Sequence, residues 1–482
     1  MDIENYVKKC IRESKNEEEI IKKLSSIIRF YKNINENDST KLSQAVLEEV
    51  KITESLEKNQ LLTYPKSNIN MGEFGVGSRG QGDFYVHSKI AEIIKNTNAS
   101  SIVNPTAQDD GGVVEVEKET KYVTTAIDGI HSRLGDYPFL AGFHTARATL
   151  RDVCVMGAKP VALISDIHLA DDGDISKILD FTAGICAVSE LTQVPLVSGS
   201  TLRIGGDMVL GDRLVGGVGA VGTSPKEPTA RSESKEGDVI LMTEGSGGGT
   251  ITTTAIYNNV PSVIMETLNV QFIKASNLLN PLQEIHAMTD ITNGGIIGDV
   301  NEINKTTGLG IHLYEDKIVE LINPKVYKML KELDIDPLGV SIDSLMIITT
   351  EKYAENIIEI LSKENIKVGI IGYIDDSCKT TIQRGSGEIE ELVPKFREAA
   401  YTPVKKVIDS IDTIDFDEGK KQIDQVTKEV ISKKDDMVRW IKNKYEWKWT
   451  IIVIWCINFN INYIHSNNFN VLCIESGRWI LT

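Results

Sequence analysis

The chain has 482 residues, 41% of them hydrophobic and 25% charged, an ordinary composition for a globular protein long enough to bury a core without disulfides or metals. Lys plus Arg number 52 against 69 Asp plus Glu, a formal charge of -17. That balance argues against nucleic acid or an anionic membrane as a partner, because both require a cationic face.

At roughly 150 residues per domain, the length corresponds to about three structural units. The cysteines (Cys10, Cys154, Cys186, Cys378, Cys456, Cys473) contain no CxxC pair and read as reduced thiols, not as a zinc site or disulfide framework. The N-terminal stretch lacks the apolar region of a signal peptide, and no segment offers the ~20 consecutive apolar residues of a membrane span. A soluble cytoplasmic protein is expected.

Residues 1–62 are polar with a helical period, and Ile20, Ile21, Leu24, Ile27 and Ile28 mark an apolar stripe. Asp38-Ser39-Thr40 suits a cap before a further helix through Ala45, Val46 and Val50. This reads as a helical extension or a segment that docks a protein partner.

Gly75, Gly77 and Gly80 formally satisfy GxGxxG, but no strand precedes them and no GK[ST] follows, so neither a Rossmann nor a Walker loop is indicated. A helix expected to open at Asp83 would leave free N–H groups suited to phosphate; a flexible surface loop is the alternative. Beyond it, strands are expected at 121–128, 160–169, 194–200 and 213–222, with a helix over 143–157 stopped by Gly157. A polar, two-proline connection at 224–238 leads to a second unit. It has strands at 239–245, 345–349 and 368–374, and helices near 250–257 and 351–363. Another helix is expected past Pro394. Strands and helices do not alternate regularly, so the class is α+β. Past residue 435 the texture changes: all five tryptophans lie from Trp440 onward, and 450–474 holds no charged side chain apart from His465. This tail reads as a structural appendage or as a segment foreign to the fold, and no function attaches to it.

Several carboxylates stand out. Asp109-Asp110 sits before the strand VVEVE, where paired acids are common turn residues. Asp128 ends an apolar strand, where burying an acid is costly unless something pairs with it. Asp152 lies in the otherwise apolar end of the 143–157 helix, next in sequence to Arg151 but on another face. Asp290 precedes the glycine break in TDITNGG, where it would cap the following helix or bind a ligand; Asn293 in that break suits a left-handed conformation. Separated carboxylates beside two glycine turns suit a Mg²⁺–polyphosphate site, since Mg²⁺ takes one or two carboxylates plus phosphate oxygens. His87, His168 with its ADDGD loop, and the Gly245–Gly249 turn have structural readings at least as good as functional ones.

The ordered set QDDGGVVEV, VTTAIDGIH, LRDVCVMGAKP, VPLVSGST, EGDVILMTEGSGGG and MTDITNGGIIGDVNEI resembles the superfamily of aminoimidazole ribonucleotide (AIR) synthase and selenophosphate synthetase, over about residues 70–385. Overall it is most similar to the archaeal, methanogen-type AIR synthase-related proteins. The resemblance implies a two-domain PurM-like α+β fold: a dimerising, barrel-forming N-terminal domain (70–225), then a C-terminal α/β sandwich (236–385). The helical extension precedes these domains, and a helical tail (394–435) and the anomalous segment (436–482) follow.

It also implies a homodimer that binds ATP and Mg²⁺ and activates a small-molecule phosphoryl acceptor. By the same resemblance Asp110, Asp152 and Asp290 would hold Mg²⁺. Asp128 and Asp152 would face the nucleotide, with the turns Ala107-Gln108-Asp109 and Ser198-Gly199-Ser200. The 75–82 loop would close over the phosphates, where Arg79 would stabilise the transferred group. The departures narrow the chemistry: Met71–Gly82 has neither the Cys nor the Lys of selenophosphate synthetase. SGST lacks the acid of thiamine-monophosphate kinase and the substrate pattern of AIR synthase. Cys473 does not fit the reactive tail of the hydrogenase-maturation protein. A non-catalytic ATP-binding sensor or assembly subunit is the alternative.

Overall fold

The computed structural model describes residues 3–32, 34–55, 80–82, 84–85, 88, 102, 112–117, 121–170, 173–204, 209–292, 294–395, 401–402, 415–458, 462–466, 469–474 and 478–481. The chain divides into one unit of residues 1–57 and 69–420 and another of 58–68 and 421–482.

Three helices open the first unit: α1 (Ile3–Arg12), α2 (Glu17–Tyr31) and α3 (Glu36–Ser55). The apolar stripe of α2 buries Ile20, Leu24 and Ile28 against Val46, Leu47 and Val50 of α3 and against Leu210. Helix α3 begins ahead of the expected cap: Asn35, not Asp38-Ser39-Thr40, offers the side-chain oxygen, accepting the Asp38 N–H at 2.9 Å. Ser39 instead points inward to Ser25, hydroxyl to hydroxyl at 2.7 Å.

The N-terminal sheet comprises β1 (Gly112–Glu117), β2 (Lys121–Gly129), β3 (Lys159–Leu169), β4 (Leu196–Arg203) and β5 (Leu214–Ser224), in the order β1-β2-β5-β3-β4. All neighbours are antiparallel except β3 and β4. One face is covered by α4 (Pro138–Val155) and α5 (Ser176–Thr192). The opposite face carries exposed Ile127, Ile164, Val197 and Leu202. The 143–157 helix therefore starts five residues earlier than expected, because Pro138 supplies a first helical position that needs no N–H. It ends where expected, at Gly157 with φ +74°.

The C-terminal sheet runs β12-β11-β8-β10-β6-β9-β7. Its strands are β6 (Asp238–Thr243), β7 (Ile285–Ile291), β8 (Gly310–Tyr314), β9 (Ser344–Thr350), β10 (Val368–Asp375), β11 (Thr380–Gln383) and β12 (Ile389–Glu391). Helices α6 (Gly249–Tyr257), α7 (Gln271–Leu279), α8 (Gly295–Thr307), α9 (Pro324–Glu332) and α10 (Glu351–Lys363) pack with it. The α+β, two-domain architecture with a helical N-terminal region is as the resemblance implied. Helix α11 (Phe416–Asn458) follows, and β13 (Asn462–Ser466), β14 (Phe469–Ile474) and β15 (Arg478–Leu481) form a small antiparallel sheet in the second unit. Among the described residues, no helix is long and apolar enough to cross a membrane.

Helix α4 joins the two domains. It lies against α5 and β5 on one side, and against α7 and β7 of the C-terminal domain on the other. It is consequently buried around nearly its whole circumference, including His144, Arg147 and Arg151. Its contact with α5 is made backbone to backbone through two glycines. A Cβ on Gly142 would stand 2.0 Å from the Phe181 carbonyl oxygen, and one on Gly184 would stand 2.1 Å from that of Phe139. Neither obstacle is a flexible side-chain end, so a methyl group must push the helices apart. Gly142→Ala and Gly184→Ala are each expected to cost about 1–3 kcal/mol or more in urea unfolding; a change inside experimental error would contradict this packing.

Candidate functional site

Two arginines, one helical turn apart in an otherwise apolar helix, organise the junction of the two sheets. Arg147 and Arg151 project from α4 toward the C-terminal domain, where both meet Asp343 at the entrance to β9. Arg147 Nη2 pairs with Asp343 Oδ2, and Arg151 Nη1 pairs with Asp343 Oδ1. Arg147 also donates to the carbonyl oxygens of Thr267 (2.6 Å), Asn269 (2.9 Å) and Gly247 (3.0 Å). Arg151 turns its Nε to Asp290 Oδ2, and its Nη2 lies 3.6 Å from Asp152 Oδ1. Thr292 donates its hydroxyl to Asp290 Oδ1 at 3.3 Å. Five charged groups, from one helix and two strand ends, thus form a single cluster that spans the two domains.

Local structure explains how they arrive there. Residues 290 and 345 are direct partners in the antiparallel β7–β9 pair, and the Asp343 N–H donates to the Ile291 carbonyl at 3.0 Å. Asp343 has φ +61°, a left-handed conformation that aspartate tolerates better than most residues. Asp290 does not cap α8, since Gly294 holds that position. Arg151 and Asp152 do meet, at 3.6 Å, contrary to what adjacency on a helix implied.

The sequence-derived residues divide into three groups. Asp152 and Asp290 come together, through Arg151. Asp128 belongs to a different surface: it shares a row of the sheet with Val218, Ser165 and Gly199, on the face that the helices cover. Ser198 and Ser200 pair with Ile164 and Asp166 on the open face, and the Ser198-Gly199-Ser200 segment is strand β4, not a turn. Three strand spacings separate Asp128 from Gly199, about 14 Å. Gly80 is buried, and neighbouring Gln81 donates from its amide side chain to the Pro394 carbonyl at 2.6 Å. Gly75, Gly77, Arg79, Ala107, Gln108, Asp109, Asp110, Asn293 and His87 lie outside the described residues.

Sequence reading missed Asp343, Arg147 and the role of Arg151. The available signal was the i,i+4 arginine pair in a helix that is otherwise apolar. The Gly245–Gly249 turn serves that pair: a Cβ on Gly248 would stand 2.9 Å from Arg147 Nη2 and 3.1 Å from Asp343 Oδ2. His168 bonds to its strand neighbour Asp166 at 3.0 Å.

Around the cluster the helix is buried. His144 shares its Nε2 with the Thr252 hydroxyl at 2.8 Å. Burial, with a smaller contribution from His131, pushes its pKa down to about 3. Burial, and secondarily Asp152, pushes the Cys154 thiol far above its usual range, which leaves it unreactive. His131 bridges the Tyr401 hydroxyl (2.8 Å) and Thr253 (3.1 Å).

As a site for Mg²⁺ the described carboxylates do not fit. Asp152 and Asp290 are suitable oxygen donors, but the Arg151 guanidinium lies between them. Among the described residues, no group of three or more His, Cys, Asp or Glu side chains is arranged to hold a metal.

With this geometry in place, the comparisons are specific. Residues 108–223 match the family described as AIR synthase related protein, N-terminal domain, and residues 235–385 match AIR synthase related protein, C-terminal domain. The chain belongs to the AIR synthase related protein family. It is 51% identical over 455 residues to uncharacterized protein MJ1416 of Methanocaldococcus jannaschii, covering 92% of this chain and 99% of that protein. It is 26% identical over 227 residues to selenide, water dikinase of Rhizobium meliloti, covering 45% of this chain and 60% of that enzyme. The fold is similar to that of AaThiL complexed with AMPPCP and TMP, with a TM-score of 0.50, 15% identity, and 65% of this chain and 96% of that one covered.

Two stability predictions follow from the cluster and its surroundings. Asp343→Ala leaves two buried guanidiniums without their shared acceptor and is expected to cost about 3–5 kcal/mol in urea unfolding at pH 7; a loss under about 1 kcal/mol would contradict the pairing. His144 has a folded pKa below its unfolded value, so its contribution is fully present above about pH 6.5 and declines as pH falls toward 3. By pH 5 this one group withdraws about 2 kcal/mol. His144→Gln should flatten the stability–pH profile between pH 6.5 and 5 by that amount, compared with wild type.

Proposed function

We propose that this chain is an ATP-dependent phosphoryl-transfer or activating enzyme acting on a small-molecule acceptor. The observation that carries the reading is the convergence of Asp152 and Asp290, one from each family-matching segment, in one desolvated cluster at the domain junction. The dikinase relative and the complex of a similar fold with AMPPCP support ATP as donor. Catalysis of this kind is mostly positioning and charge neutralisation, and a water-poor junction with fixed charges suits both.

In this reading Asp128 and Gly199, in one row of the sheet, face the nucleotide together with Ala107-Gln108-Asp109, while Ser198 and Ser200 on the opposite face take no part. Gly75, Gly77 and Gly80 line the loop over the phosphates, and Arg79 stabilises the transferred group. Asp110, Asp152 and Asp290 would hold Mg²⁺ only as it arrives with the nucleotide, as the counterion of the polyphosphate. The domains extend over about residues 70–225 and 236–385. The exposed face with Ile127, Ile164, Val197 and Leu202 supports the proposed homodimer, since a second copy would remove that apolar surface from water. The exposed Phe30–Tyr31 edge-to-face pair on α2 favours a protein partner for the helical extension, as an assembly subunit would require.

The test is thermal unfolding of the full chain with AMPPCP, with and without Mg²⁺. At 100 times its dissociation constant a ligand adds about 2.7 kcal/mol, a rise of a few degrees. The rise should depend on Mg²⁺ and be absent in a folded Asp152→Ala variant. A wild-type chain indifferent to Mg·AMPPCP would remove the nucleotide reading, and one that binds it but transfers no phosphoryl group from Mg·ATP to any acceptor supplied would favour the assembly subunit.

A further inference from the structure

The two carboxylates expected to share a divalent cation instead share a guanidinium. Arg151 addresses three acids with three different nitrogens: Nε to Asp290, Nη1 to Asp343 and Nη2 to Asp152. Its side chain is 9% exposed, and those of Asp290 and Asp343 are 2% and 3% exposed. Behind it stands the Phe272 ring, with its centroid 5.7 Å from the guanidinium carbon.

Arg147 differs in kind. Three of its contacts are backbone carbonyls of the C-terminal domain, so it fastens the domains together whatever happens to the acids. Arg151 is fastened to the acids themselves.

We propose that Arg151 is the resident cation of this site: it occupies the place between Asp152 and Asp290 that a divalent ion would take, and the nucleotide-free protein therefore binds no metal there. Two physical effects act together. The guanidinium fills the space where carboxylate oxygens would have to approach a small ion to about 2.0–2.1 Å. It also discharges the site: three carboxylates against two guanidiniums leave one net negative charge, whereas loss of Arg151 leaves two. A dication is drawn to the second arrangement far more strongly than to the first. The inference builds on the proposed function only in its consequence, that metal reaches the site with a polyphosphate ligand.

The experiment is Mn²⁺ binding followed by electron paramagnetic resonance on the full, nucleotide-free chain. Wild type and Arg151→Lys, which keeps the positive charge, are expected to leave the free Mn²⁺ signal unchanged. Arg151→Gln should bind one Mn²⁺ at least about tenfold more tightly, and adding Asp290→Asn to it should abolish the gain. Wild type binding Mn²⁺ as tightly as Arg151→Gln, or a folded Arg151→Gln that gains no affinity, overturns the proposal. If Arg151→Gln does not fold alone, it should refold when Mn²⁺ is present, the ion replacing the missing charge; failure to refold with Mn²⁺ also overturns it. No nucleotide enters these measurements, so a wild-type chain that ignores Mg·AMPPCP would refute the nucleotide reading and leave this result standing.

Discussion

A buried cluster of two arginines and three aspartates holds the two domains in register, and most other features are arranged around it. Helix α4 carries the positive charges, while β7 and the approach to β9 carry two of the negative ones. Charges taken out of water repay their desolvation only when geometry and partners are complete. Hence the surroundings that complete them: the carbonyls that receive Arg147, the glycine turn at 247–249 that lets the guanidinium approach, and the left-handed Asp343. Hydrophobic residues alone would hold α4 in place. The ion cluster adds direction, because it is satisfied in one relative placement of the domains.

The same cluster shapes how function is read. The resemblance implied a metal site at Asp152 and Asp290. Here the acids are already compensated by the protein's own cations. A site left with a single net negative charge avoids a buried, uncompensated acid pair and so costs less to keep folded.

Regular structure was largely legible in the sequence. β2, β3, β9 and β10 could be read from β-branched runs, and the end of α4 from Gly157, because these signals are local. The misreadings also have local causes. Pro138 starts α4 upstream of the apolar run, and Asn35 outcompetes Asp38 as the cap of α3. Ser198-Gly199-Ser200, a turn by the resemblance, belongs to the strand expected over 194–200 and pairs with β3. Gly199 belongs there for a tertiary reason, since a Cβ would stand 2.6 Å from Ser165 Oγ.

What the sequence determined by itself was the α+β class, the positions of most strands and helices, and the family. Each depends on periodicity, turn chemistry or an ordered set of motifs within short stretches of chain. It also singled out Asp152 as an acid in apolar surroundings and Asp290 as an acid before a glycine break. Only the tertiary structure decided what those acids touch. Arg151 and Asp343 are 192 residues apart in the chain, and no period or spacing links them. Their meeting depends on how α4 lies across the C-terminal sheet, and that placement is set by packing on both sides of the helix at once.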